Sequence, residues 1–295
     1  MNIFITGATG FIGSNLCKHL LKKGYNVHIG LRKESDLSNI QGFKNNIHIF
    51  YYTNSIYDLA SYFTKSNIKG VFHLASCFIA EHKNEDVTRL IDTNVHFGTL
   101  LLEAMKVAKV KNLINTGTSW QHYENESYNP VCLYAATKEA FDAIIKYYTE
   151  CESISCITLK LFDSYSENDS RPKLINLLNQ FAAEGKVLDM SEGKQEINLL
   201  HVNDICNGYE IAYEILIKQK SPLNVKYALA ASETITLKEL IGIFNRISPK
   251  TIIINWGHKP YRKREVMSLW SEYDILPNWK QTISLESGLH RLFRI

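Results

Sequence analysis

From Asn2 to Leu161, short apolar runs alternate with segments whose apolar residues recur at helical spacing. Asn2–Thr6, Tyr25–Leu31, Ile47–Tyr52, Gly70–Ala75, Lys111–Asn115 and Ser155–Leu161 read as strands, and Phe11–Lys23, Ile56–Lys65, Val87–Lys109 and Leu133–Glu150 as helices. Strands separated by helices predict crossover units on a parallel sheet: an α/β, Rossmann-type doubly wound fold with ligands at the carboxyl ends of its strands. After Phe162 the pattern changes. Asp163–Pro172 is polar and loop-like, and a mixture of helices (Lys173–Gly185, Val202–Lys218, Thr236–Ile247) and short strands (Lys186–Met190, Glu196–Leu200, Val225–Leu229, Thr251–Asn255) follows. This predicts a dinucleotide-binding domain over 1–162 and a smaller mixed α/β substrate-binding cap over 163–295. The helix near Val202 is a candidate to pack back on the first domain.

The first strand runs directly into Gly7-Ala8-Thr9-Gly10-Phe11-Ile12-Gly13. There Gly7, Gly10 and Gly13 supply a tight turn, a bare backbone that a pyrophosphate can approach, and close helix–sheet contact. The following helix, opening at Phe11 and Ile12, points its free N–H groups and dipole at the phosphates. A dinucleotide fold ends its second strand beside the adenosine ribose, where an acidic side chain accepts from a 2′-hydroxyl and a basic one pairs with a 2′-phosphate. Arg32-Lys33 stand there, and a guanidinium suits a phosphate. NADP(H) is therefore expected over NAD(H).

At 295 residues, 45% hydrophobic and 21% charged, the chain has the composition of an ordinary soluble globule. Its net charge of +3 is spread along the sequence, which argues against a nucleic-acid or membrane-surface partner, and no apolar run is long enough to span a bilayer. Cytoplasm is the expected location. The six cysteines form no C-x-x-C pair and the ten histidines no ligand spacing, so no metal site is expected. His73, inside an apolar run, reads as a hydrogen-bonded strand residue.

Tyr134-Ala135-Ala136-Thr137-Lys138 opens a helix, and a spacing of four puts Tyr134 and Lys138 on one face. An ammonium beside a phenol stabilises the phenolate, so the lysine is expected to lower the tyrosine's pKa. Upstream, Thr116-Gly117-Thr118-Ser119 delivers hydroxyls to the sheet's carboxyl edge, where one can donate to a carbonyl oxygen while the tyrosine protonates it.

These motifs, with Gly70-Val71-Phe72-His73-Leu74-Ala75-Ser76, Asn94-Val95-His96-Phe97-Gly98-Thr99, Val110-Lys111-Asn112-Leu113-Ile114 and His201-Val202-Asn203-Asp204, span the chain almost end to end. Together they resemble the extended short-chain dehydrogenase/reductases, the group of nucleotide-sugar epimerases, dehydratases and 4-ketoreductases. The resemblance implies that Thr118, Tyr134 and Lys138 are catalytic and that Lys138 also holds the nicotinamide ribose. It further implies that Leu74, Ala75 and Asn94 line the cofactor. Dehydratases of the 4,6 type follow the threonine with Asp-Glu; Ser119-Trp120 here leaves elimination without its proton carriers. The texture is most similar to reductases of the CDP-abequose and CDP-paratose synthase type, which implies an NADPH-dependent 4-ketoreductase acting on a nucleotide-activated deoxysugar for surface polysaccharide. Substrate contacts are expected from Ser76, Thr118, Ser119, Asp163, Arg171, Lys173 and Arg262. Two departures bear on the substrate: Lys160 and Asp163 replace an Arg-x-x-Asn pattern, and Ile197-Asn198 replaces Arg-Asp.

Two other readings stand beside the reductase: a 4-epimerase that keeps its NAD, and a non-catalytic NADP-binding regulator, against which the intact Thr118, Tyr134 and Lys138 argue. Many relatives pair through helices near Val87 and Leu133 into a homodimer, although apolar stripes there also fit a monomer's core.

Overall fold

In the computed structural model, which describes residues 1–169 and 171–293, seven parallel strands form one sheet. In chain order, β1 (Asn2–Thr6), β2 (Asn26–Leu31), β3 (His48–Tyr51), β4 (Gly70–His73), β5 (Asn112–Thr118) and β6 (Ser155–Leu161) build the first half. Helices α1 (Phe11–Lys22), α2 (Ile56–Lys65), α3 (Asp86–Ile91), α4 (Phe97–Ala108) and α5 (Leu133–Glu152) connect them. The later half holds β7 (Asp163–Tyr165), α6 (Leu174–Glu184), β8 (Val187–Met190), β9 (Glu196–Ile197), β10 (Leu199–His201), α7 (Val202–Leu216), β11 (Asn224–Leu229), β12 (Ile235–Thr236), α8 (Leu237–Ile247), β13 (Ile253–Trp256) and α9 (Leu285–Phe293). The sheet order is β11-β6-β5-β4-β1-β2-β3, so the direction of winding reverses between β1 and β4 and opens a crevice at their carboxyl ends.

Both faces of the sheet are covered, which is why its strands are apolar on both sides rather than alternating. One face packs Ile3, Ile5 and Phe72 under α1 and α7; the other packs Phe4, Val71 and Leu113 under α2, α4 and α5. A third core, around Leu178, Leu240, Phe244 and Leu289, belongs to the cap. There α8 starts at a reciprocal capping box between Thr236 and Glu239, and α6 stops at Gly185 with φ of +66°. Among the described residues, no helix is long and apolar enough to cross a membrane.

Five features differ from the sequence expectation. Strand β11, read with the cap, pairs along its whole length with β6 and forms the sheet's edge; α7 packs on α1 as expected of the helix near Val202, with Glu210 meeting His19 at 2.7 Å and Lys23 at 3.0 Å. The long helix over Val87–Lys109 is interrupted by one π turn, Asp92–His96, which leaves the apolar periodicity almost untouched. The loop expected at Asp163–Pro172 contains β7, which pairs with β10. Helix α9 and the 3-10 segment Ser38–Asn46 were not anticipated.

Candidate active site

The turn from β1 into α1 is built by backbone contact. Gly7 has φ of +70°, and a Cβ there would lie 2.6 Å from the Ala75 nitrogen; a Cβ on Gly13 would lie 2.2 Å from the Gly7 oxygen. Leu74 and Ala75 therefore form the facing wall. Thr6 Oγ1 fastens the two sides, accepting from the backbone N–H of Leu74 at 3.2 Å and of Ala75 at 3.1 Å. Its own proton goes to His73 Nδ1, 2.8 Å away. Burial pushes His73 down to about 3, so its ring is neutral and serves as the hydrogen-bonded strand residue expected. Thr6 was not singled out from the sequence.

Gly10 caps α1 without a side-chain bond, and no acidic residue occupies the first turn, so Phe11 and Ile12 open a helix whose amino end is free for an anion. These residues fit the pyrophosphate of a dinucleotide. Arg32 and Lys33 follow β2 as exposed side chains, in no ion pair among the described residues. Asn39 Nδ2 donates to the Thr9 oxygen at 2.9 Å, tying the segment beyond Arg32 back to the glycine turn. Asn94, on the π turn, is fully engaged: it joins both backbone groups of Cys77, the Ser76 hydroxyl and Thr137 Oγ1, locking the β4–α3 loop to α5.

At the centre of the crevice β5 ends in Thr118, while Tyr134 and Lys138 occupy the first turns of α5, with only 8% and 1% of their surface exposed. The pKa balance differs from the sequence expectation. Burial pushes Tyr134 up to about 12, and the Ser76 and Thr118 hydroxyls beside it only partly offset this. Lys138 moves down to about 8, through burial opposed by Asp142 and reinforced by Lys160. For both groups the largest cause is taking the charged form out of water.

Above Tyr134 an aromatic cleft opens. Phe78 lies 5.0 Å from the Tyr134 ring and 5.5 Å from Trp120, with Lys173 Nζ 4.1 Å over Phe78 and the Arg262 guanidinium 5.1 Å over Trp120. Glu265 grips Arg262 in a fork, at 3.0 and 2.7 Å. Behind Trp120 a cavity of about 270 Å³ extends along Cys132, Arg264 and Glu81. Asp163 is reached by water from the cleft yet surrounded by protein; burial raises its pKa against the pull of Lys173, Arg262 and Arg171. Ser119 is buried.

Arg171 is within electrostatic reach of Asp163 and Lys173 but is anchored on a different ring. Asp169 and Ser164 hold it with its guanidinium 3.8 Å over the Phe11 ring, at the amino end of α1. Lys173 and Arg262 thus face the Tyr134 cleft, whereas Arg171 faces the glycine turn. Phe78 and Gln121 also escaped the sequence reading. The spacing T-x-x-Q from Thr118 to Gln121 is a capping-box pattern that could have exposed the latter.

Residues 3–225 match the model of the NAD dependent epimerase/dehydratase family, a stretch that ends inside the last strand of the large sheet. The chain belongs to this family. Along almost its full length it is similar to the CDP-abequose synthase of Salmonella muenchen, 26% identical over 294 residues that cover 98% of this chain and 96% of that protein. It is 24% identical over 319 residues to the UDP-glucuronate 4-epimerase of Thermodesulfobacterium geofontis, covering 97% and 93%. Among solved structures, the UDP-glucose-4-epimerase of Stenotrophomonas maltophila with bound NAD superposes with a TM-score of 0.86 at 18% identity, covering 100% of this chain and 97% of that one. That likeness establishes the fold of the family member described here.

Proposed function

We propose that this protein reduces the 4-keto group of a nucleotide-activated deoxysugar with NADPH, in the cytoplasm, as a step toward a surface polysaccharide. The observation that carries the reading is the set of groups around one crevice: two hydroxyls, Thr118 and Tyr134, with Lys138 beneath them, and an indole and a buried serine in the two positions after Thr118. The bound cofactor supplies hydride to the ketone carbon. Tyr134 gives its phenolic proton to the ketone oxygen, Thr118 donates a hydrogen bond to the same oxygen, and Lys138 holds the ribose and supports the phenolate left behind.

The phenol of Tyr134, pushed up by burial, carries its proton at neutral pH and has one to give. The full-length similarity to a CDP-abequose synthase supports reduction. Arg32 supports NADPH, because an exposed guanidinium follows β2 where a 2′-phosphate would lie. Lys173 and Arg262 are the groups we assign to the nucleotide diphosphate and sugar, with Ser76, Ser119 and Asp163 lining the sugar's path.

A 4-epimerase is the second reading, favoured by the similarity to the UDP-glucuronate 4-epimerase. One measurement separates the two: 4-deuterated NADPH with a 4-keto-6-deoxy or 4-keto-3,6-dideoxy sugar nucleotide. A reductase places one deuterium on the former ketone carbon and forms one NADP⁺ per product. No turnover of the keto sugar, together with inversion at C4 of the matching 4-hydroxy sugar nucleotide in the presence of NAD⁺ at constant absorbance near 340 nm, assigns the epimerase instead.

A further inference from the structure

Beneath Thr118 lies a buried polar cluster that the proposed chemistry leaves unused. Lys160, on β6 and fully buried, meets Asp142 of α5 at 3.0 Å and Glu139 at 3.7 Å. Lys226, on β11, reaches the same carboxylates at 3.1 and 3.5 Å. Lys160 and Asp142 are the fully buried ion pair, Lys226 and Glu139 extend it toward the surface, and the buried Lys138 lies close enough to feel both Asp142 and Lys160. Asn115 of β5 adds a hydrogen bond to Asp142 at 3.1 Å.

Gln121 connects this cluster to the crevice. Its side chain is fully buried, and its Nε2 donates to Glu139 and, at 3.1 Å, to Asp142. Carboxylates only accept, so they fix which end of the amide faces them. The opposite end, Oε1, then accepts the backbone N–H of Thr118 at 3.0 Å. Gly117 shows that the space is made for this arrangement. A Cβ there would lie 2.6 Å from the Lys160 Cδ and 3.2 Å from the Gln121 Oε1, so a side chain at 117 would displace both.

We propose that Gln121 is the positioning residue for Thr118, its amide oriented by the Asp142 and Glu139 carboxylates, which Lys160 and Lys226 hold in turn. Thr118 sits where β5 breaks into a 3-10 turn, and its hydroxyl already accepts from the Trp120 N–H at 3.3 Å. With the N–H of Thr118 held from one side and its hydroxyl from the other, the residue has one orientation, the one that places its hydroxyl beside the Tyr134 phenol. The cluster draws on β5, β6, α5 and β11, so the aim of a group at the crevice is set by strands across half the sheet. The inference rests on the proposed role of Thr118 but not on the direction of the reaction, because the hydroxyl serves reductase and epimerase alike.

The test is a double-mutant cycle on the full chain with NADP(H) and the keto sugar nucleotide. Thr118→Ala removes a donor to the reacting oxygen and is expected to cut kcat by about a hundred-fold. Gln121→Met, similar in volume, is expected to cut kcat on the order of ten- to a hundred-fold with KM little changed, as for a misaimed group. In the double variant the second loss disappears, since there is no hydroxyl left to aim. Losses that multiply, or a Gln121→Met enzyme as fast as the parent, overturn the proposal. If Gln121→Met does not fold, as judged by its melt and its NADPH binding, Asp142→Asn replaces it and must show the same dependence on Thr118. If neither reductase nor epimerase turnover is found, the proposed function fails but the inference is still decided: Gln121→Met must speed hydrogen exchange at the Thr118 amide at least tenfold relative to Ile114, and unchanged exchange overturns it.

Discussion

The two ends of the crevice are built on different principles. At the glycine turn the parts are backbone: Gly7, Gly13, Leu74 and Ala75 touch main chain to main chain, stapled by the single hydroxyl of Thr6. At the Tyr134 cleft the parts are long side chains over aromatic rings, Lys173 on Phe78 and Arg262 on Trp120, the latter steadied by Glu265. A backbone site accepts one shape and tolerates little substitution. A side-chain site can be re-aimed by changing a few charges, which suits the part of the molecule that must distinguish one sugar nucleotide from another.

The sharpest way to separate the two ends is Tyr134→Phe. It should cut turnover by about a hundred- to ten-thousand-fold while leaving NADPH affinity nearly intact; a variant that turns over normally removes the mechanism. Next comes Arg32→Ala, expected to weaken NADPH by about 1.5 to 3 kcal/mol and NADH far less, as calorimetry with both cofactors would show. Equal losses would end the NADP assignment. Gly13→Ala, with its Cβ 2.2 Å from the Gly7 oxygen, should lower stability by about 1 to 3 kcal/mol and weaken both cofactors together, read by denaturant unfolding and titration. The smallest effect near neutrality is the alkaline limb. Lys138, held down to about 8, is charged below that pH and loses its proton as pH rises through it, so kcat/KM should fall above about pH 8. A flat profile to pH 10 would mean that the ammonium is not required.

The backbone end was the more legible in sequence, because glycines at fixed spacing after a strand leave few alternatives, and Tyr134 with Lys138 shows its geometry in a single helical turn. The cleft was legible in its cations but not in their placement. Arg171 and Lys173 are two residues apart, yet one faces Phe11 and the other Phe78, a split decided by Asp169 and Ser164. The π turn at Asn94 is hidden in sequence because the buried positions Leu90, Asn94 and Gly98 keep a spacing of four across it. Lys160 is in sequence only a departure from a family arginine; its burial depends on Asp142 and Glu139 from α5, distant partners that no local pattern reveals. The tyrosine's direction of shift was missed for the same reason, since burial is a property of the assembled crevice.

The position of β11 sets the order in which the chain can mature. β6 is buried at all seven positions, but its outer neighbour arrives only after β7 through α7 have been made. During synthesis the first six strands therefore present an open apolar edge with unpaired backbone groups, the kind of surface that captures another strand. A chain cut after Phe162 keeps the glycine turn, Thr118, Tyr134 and Lys138, yet it should precipitate rather than bind cofactor. Productive folding waits for a strand that closes the sheet from the far side of the cap.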